Sequence, residues 1–213
     1  MGNREDLLAA AKRLLYEKGY ARTTARDLTA ASGVSLAAIG YHFGSKEALL
    51  NAARIEALRE WADELGRTLA AGSEPEATPL ERFEAIWARV IQSFGTHRPL
   101  WAASFELLAQ IDQASAEVRA AVADAQERAR LGLATLFHQI DPTLDDHKAW
   151  VVGSFYLALL PGVMAQWLID PDHAPSARAL TEALQTIVAD VSSGQRSPPV
   201  TPKTQTAEPA ATP

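Results

Sequence analysis

The chain of 213 residues contains no cysteine. That excludes disulfide staples and thiolate metal sites, and it fits a reducing compartment. No stretch alternates apolar and polar residues with a period of two, so β-strands are not expected and the chain reads as all-α. No leader pattern opens it: Arg4, Glu5 and Asp6 precede an amphipathic pattern, not a continuous apolar run. The signatures of common catalytic sites are missing too. There is no Glu-x-x-His pair of the di-iron bundles, no His-x-x-x-His, no phosphate loop and no nucleophile elbow. The five histidines (His42, His97, His138, His147, His173) are scattered. No catalytic residue, metal site or cofactor is therefore expected. A helical-bundle enzyme and a ligand-independent architectural DNA protein remain as alternatives, the second weakened by the lack of a broad basic surface.

Hydrophobic residues make up 47% of the chain, enough for a sizeable core. The net charge of −6 is unevenly spread. Residues 1–50 hold seven basic residues (Arg4, Lys12, Arg13, Lys18, Arg22, Arg26, Lys46) against five acidic ones, whereas the remainder holds thirteen against twenty-one. A positive end can face phosphates while an acidic body discourages indiscriminate coating of nucleic acid.

Residues 24–47 read as two short helices joined by a tight turn and followed by the start of a third. Thr24 can cap the first, with Asp27 reaching back to its amide. Gly33 stands where the chain turns, and Ser35 can cap the next helix. Ile39 and Phe43, one helical turn apart, face inward, leaving Leu36, Ala37, Gly40 and Tyr41 outward. This is a helix-turn-helix, whose second helix enters the DNA major groove. Leu36, Ala37 and Ala38 cannot donate to base edges but can touch thymine methyl groups; spacing alone also allows Leu36 an inward position. Tyr41 can reach phosphate. His42 is either a phosphate contact or a partly buried structural histidine. Arg26 can meet the backbone or a guanine edge, or form a surface ion pair. Lys46 opens the fourth helix, where free amides already favour an anion.

The same residues carry a family resemblance. Thr24-x-Arg26-Asp27-Leu28, Ala31-x-Gly33-Val34-Ser35 and the run from Ile39 through Leu50 resemble the N-terminal signature of the TetR family of bacterial transcriptional regulators. The resemblance covers about a quarter of the chain. The family usually has Tyr at the position of Gly40, where its ring contacts the DNA backbone; here Tyr41 is adjacent, roughly 100° around the helix. Membership implies a cytoplasmic bacterial regulator, commonly a repressor. It implies double-stranded operator DNA and a second copy of the chain as partners, with a small-molecule ligand, still unidentified, held in a helical body.

The rest of the chain divides into further helices, about nine in all. They lie near 3–18, across the helix-turn-helix, then near 46–71, 79–95, from 99, 116–140, 149–169 and 176–191. Thr78-Pro79 with Glu81 is a strong start signal, and Asp141-Pro142 and Asp170-Pro171 are stops. The expected organisation is a DNA-binding unit over 1–47, a ligand-binding and dimerisation unit over 48–191, and a proline-rich disordered tail over 192–213. The segment 149–169 holds no charge and meets the length of a membrane span. Gly153, Ser154, Pro161, Gly162 and Gln166 and the absence of a second such segment favour a buried helix shared between core and dimer contact. Gly153, Ser154 and Ala158 would let that helix approach a neighbour closely, and Pro161 should kink it. Trp87, Phe94, Trp101, Phe105, Phe137 and Trp150 are the pocket candidates, although aromatics at helical spacing more often build core. An apolar, aromatic lining would suit a flat lipophilic ligand.

Overall fold

The computed structural model describes residues 2–71 and 77–194. Among them lie nine α-helices, one 3-10 turn and no strand: α1 (Asn3–Glu17), α2 (Ala25–Ser32), α3 (Leu36–Phe43), α4 (Lys46–Ala71), α5 (Pro79–Thr96), α6 (Arg98–Ala109), the 3-10 turn Ile111–Gln113, α7 (Ala116–His138), α8 (Asp146–Ile169) and α9 (Ala177–Ser193).

Local chemistry sets most boundaries. Thr24 accepts from the Asp27 amide while Asp27 accepts from the Thr24 amide, closing the capping box that starts α2. Thr78 and Glu81 repeat the device at α5, with Pro79 in its first turn. Gly33 ends α2 with φ of 71°, a left-handed conformation that glycine adopts without strain. Two boundaries differ from the sequence reading. α7 stops at His138, not Ile140, because Gln139 turns left-handed at φ 55° and caps it. α9 runs to Ser193 before Gly194 caps it, so Ser192 and Ser193 belong to the helix and not to a tail. The remainder of the expected tail, 195–213, lies outside the described residues.

α1, α2 and α3 pack on the first turns of α4 around Leu7, Leu15, Leu28, Ile39, Leu49 and Leu50. This apolar cluster continues into Leu107 of α6 and Val118 and Val122 of α7, so the head is seated on the body. A second cluster, around Trp87, Phe94, Trp101, Phe137 and Tyr156, fills the body between α4 through α9.

α7 and α8 form the most extensive helix pair. Gly153 makes their crossing possible: a Cβ there would be driven into the Arg130 carbonyl group of α7. The close approach is thus made inside one chain, to α7. Ser154 instead donates to the Trp150 carbonyl of its own helix, and Ala158 is exposed. α8 continues through Pro161 as one element. It is not buried on every side. Ala149, Gly153, Tyr156, Val163 and Met164 face inward, while Trp150, Val151, Phe155 and Ile169 are exposed. Ile187, Val188 and Val191 of α9 are exposed as well. α8 is the one described helix long and apolar enough to cross a membrane, but by length and composition only, and its inner face is packed into the body.

Across the α7–α8 pair, Tyr156 lies flat against Phe137, ring centroids 3.9 Å apart, and its hydroxyl lies 2.8 Å from His138 Nε2. Burial pushes the Tyr156 hydroxyl up to about 12, so it stays protonated and donates. Burial, together with Lys148 and Arg82, holds His138 below its ordinary value of 6.5, so it stays neutral and accepts. A base depressed in the folded state contributes fully above the unfolded value and loses that contribution as pH falls below it. Thermal unfolding followed from pH 7.5 to pH 5.5 should therefore show a falling midpoint, and His138→Gln should flatten that slope; an unchanged slope contradicts the assignment.

Candidate DNA interface and effector cavity

Two places in the fold carry chemistry: the exposed face of α3 with its flanking caps, and a cavity in the body.

Ile39, 3% exposed, pins α3 to the head core, and the half-buried Phe43 ring lies under the Arg4 guanidinium at 5.2 Å. With that face fixed, Leu36 is 62% exposed and Tyr41 85% exposed, and Ala37 and Gly40 are open to solvent beside them. Leu36 therefore points outward, which spacing alone left undecided. Ala38 differs from the sequence reading: it is partly buried against the head core, one position around from the open face. His42 is half-buried, its ring edge-on to Tyr41 with centroids 4.9 Å apart. The hydroxyl of Ser35 also departs from expectation. Ser35 occupies the N-cap position of α3, but its side chain makes no cap bond; its carbonyl accepts from the Ala38 amide instead. The exposed hydroxyl has no hydrogen-bond partner among the described residues and can donate to an outside acceptor.

The flanks of α3 are cationic. Arg26 is exposed on the first turn of α2, and its guanidinium makes no ion pair or hydrogen bond among the described residues. Thr24 is exposed, its hydroxyl donating to Asp27 at 2.7 Å. Lys18 Nζ, 2.5 Å from Asp27, and the two Thr24 donors hold that carboxyl far below the usual carboxylate range. This ties α1 to the start of α2. Lys46 folds back, its ammonium donating to the Thr23 carbonyl at 3.3 Å and lying 3.4 Å from Glu47. Both contacts are long and Glu47 is exposed to solvent, so the side chain can swing out to a phosphate. Ser45 caps α4 by accepting from the Ala48 amide.

The cavity, of about 410 Å³, lies between α4, α6, α7 and α8. Its lining is mostly apolar: Leu58, Trp61 and Leu65 from α4, Trp101 and Phe105 from α6, Leu133 and Leu136 from α7, and Leu157, Pro161 and Met164 from α8. Of the six aromatic candidates, Trp101 and Phe105 are brought to it. Trp87, Phe94 and Phe137 are not; their rings interlock in the core behind, Trp87 with Phe137 at 5.6 Å and Phe94 with Trp101 at 6.1 Å. Trp150 stands on the outer face of α8 under the Arg130 guanidinium. Trp61 and Arg54 are lining residues that the sequence reading missed. Arg54 is 6% exposed, and burial lowers its guanidinium to about 10. A signal for it exists in the sequence: a lone cation interrupts the apolar stripe Leu50, Ala53, Ala57, Leu58, Trp61 of α4. Among the described residues no group of three or more His, Asp or Glu could hold a metal.

Residues 7–53 match the family model for bacterial regulatory proteins of the tetR family. Over 177 residues the chain is 29% identical to the HTH-type transcriptional regulator TtgR of Pseudomonas putida, covering 79% of this chain and 81% of that protein. The N-terminal segment thus carries the TetR-family pattern, and the likeness to TtgR spans most of the chain. Two crystal structures of the multidrug binding protein EbrR share the fold. The complex with imidazole has 25% sequence identity and a TM-score of 0.60, covering 88% of this chain and 95% of that one. The complex with proflavin has 23% identity and a TM-score of 0.59, covering 87% and 99%. These likenesses make the chain a DNA-binding transcriptional regulator and not an enzyme. The segment matched by the family model contains the whole of α2 and α3.

Proposed function

We propose that this TetR-family regulator is a cytoplasmic repressor that binds a near-palindromic operator as a homodimer and is released by a small apolar or aromatic molecule in the body cavity. One observation carries the ligand control. α4 is a single helix whose first turns, through Leu49, Leu50 and Ala53, build the head core, and whose middle, through Leu58, Trp61 and Leu65, walls the cavity. A ligand that favours one setting of α4 resets the head directly. The unit over 1–47 reads DNA through the exposed face of α3, and the unit over 48–191 senses ligand and dimerises. Thr24, Arg26, Ser35 and Lys46 supply phosphate contacts, and Leu36, Ala37, Gly40 and Tyr41 meet the groove. Tyr41, exposed beside Gly40, supplies the ring that the family places one position earlier. The exposed apolar faces of α8 and α9 support a two-fold dimer. The likeness to TtgR and to EbrR, a protein solved with bound proflavin, supports the ligand-responsive part of this reading.

Fluorescence anisotropy with the DNA upstream of its own reading frame tests this. Saturable binding that flat aromatic probes reverse supports the proposal; binding that no such probe alters contradicts ligand control. Lys46→Ala should weaken binding to all sequences alike and reduce the salt slope by about 0.9 for each phosphate left without its cation. An unchanged slope removes Lys46 from the interface.

A further inference from the structure

Among the described residues, two donors in the cavity lining, on Arg54 and Trp101, have no hydrogen-bond partner. Arg54 Nη2 donates to Asn51 Oδ1 at 3.1 Å, and Nη1 reaches Ser104 Oγ only at 3.5 Å. Its Nε has no partner, and no carboxylate among the described residues pairs with the guanidinium. Trp101, 3% exposed, also lines the cavity, and its indole N–H is unpartnered too. Trp61, by contrast, spends its indole N–H on Ser93 Oγ at 2.9 Å. Among the described residues Asp63 is the one carboxylate in the lining, but it is exposed and nine residues further along α4, roughly 13 Å along the helix axis. A buried guanidinium without a counter-charge is costly, and folded proteins seldom leave buried donors unmet.

We propose that the effector is an amphipathic organic anion, its aromatic body in the apolar part of the cavity and its carboxylate or sulfonate received by Arg54 with the Trp101 indole. The inference rests on reading the cavity as the effector site. It adds the ligand's charge and polarity. Arg54 stands eight residues beyond Lys46 on the same helix, directly after Ala53 of the head core. An anion that pulls on Arg54 therefore acts on the helix that sets the head.

The test uses the full-length protein and two fluorescent probes of nearly the same shape: anionic 1-anilinonaphthalene-8-sulfonate and neutral N-phenyl-1-naphthylamine. Arg54→Met should weaken the sulfonate probe at least about tenfold, as for removal of a charge-assisted bond, and leave the neutral probe within about twofold. Arg54→Gln should behave likewise, and Arg54→Lys should retain part of the preference. Gly132→Trp, placed in the lining where a Cβ meets open space, should weaken both probes. Thermal unfolding should show Arg54→Met folded, with a midpoint equal to or above that of the parent. If Gly132→Trp blocks both probes but the Arg54 variants do not separate them, the anion assignment is overturned and the cavity reading survives. If Gly132→Trp leaves both probes bound, the cavity reading is overturned, and the proposal with it.

Discussion

Gly153→Ala lowers the thermal midpoint by about 6–12 °C, the largest effect expected of any single added methyl group in this chain. The new Cβ would overlap backbone, the Arg130 carbonyl of α7, which has no rotamer by which to retreat. α7 and α8 must then separate along their length. That disturbs the stacked Phe137 and Tyr156 rings and the His138 hydrogen bond at the same crossing. Overpacking costs about 1–3 kcal/mol even where side chains can yield, and this site is at the upper end. At about 2–4 °C per kcal/mol for a chain of this size, the shift is several degrees at least. Gly66→Ala is the control, because it lies inside α4 with open space around its Cβ. It should raise stability by about 0.5–1 kcal/mol, through helix propensity alone. Calorimetry of the two variants separates crowding from propensity; a Gly153→Ala midpoint equal to the parent's contradicts the close crossing.

The second large effect is on DNA binding and comes from residues far from DNA. Phe155→Glu combined with Val188→Glu places two charges in the exposed apolar faces of α8 and α9. In a two-fold dimer each charge meets apolar surface of the partner and is desolvated without a counter-ion. The protein should sediment as a folded monomer. Operator affinity should fall by about 10²–10⁴-fold, because one head binding alone loses the effective concentration that a linked second head supplies. Helical circular dichroism should be unchanged, since both side chains are solvent-exposed in the single chain. Retained dimers with full operator affinity would move the interface elsewhere.

Helix positions were legible because the chain is punctuated by residues with single local meanings. The Thr78-Pro79-Glu81 start is closed by its own side chains, and Gly33 needs only its own backbone freedom to turn. The Gln139 stop was not legible, because a left-handed glutamine depends on the surrounding fold, not on intrinsic preference. The 3-10 turn at Ile111–Gln113 carries no periodic signal. The inner residue Ile39 follows from spacing, and so does the open face once Ile39 is placed. The free Ser35 hydroxyl does not follow, because a cap side chain chooses between its own helix and solvent at small cost. In the body, Trp87 and Trp101 have the same kind of helical neighbourhood in sequence. Only the packing of four helices decides that Trp101 meets the cavity and Trp87 the core. The exposed half of α8 was hidden for a related reason. An all-apolar helix shows no moment that distinguishes the face packed on α7 from the face left for a partner.

If paired copies present α3 outward to one face of a duplex, hydroxyl-radical footprinting of the protein on its own upstream DNA will show it. Two protected windows are expected, centred roughly 34–36 Å apart along the helix axis and related by near-palindromic sequence, both lost with Tyr41→Ala and Lys46→Ala combined. A single window, or unbroken protection without sequence preference, would contradict it.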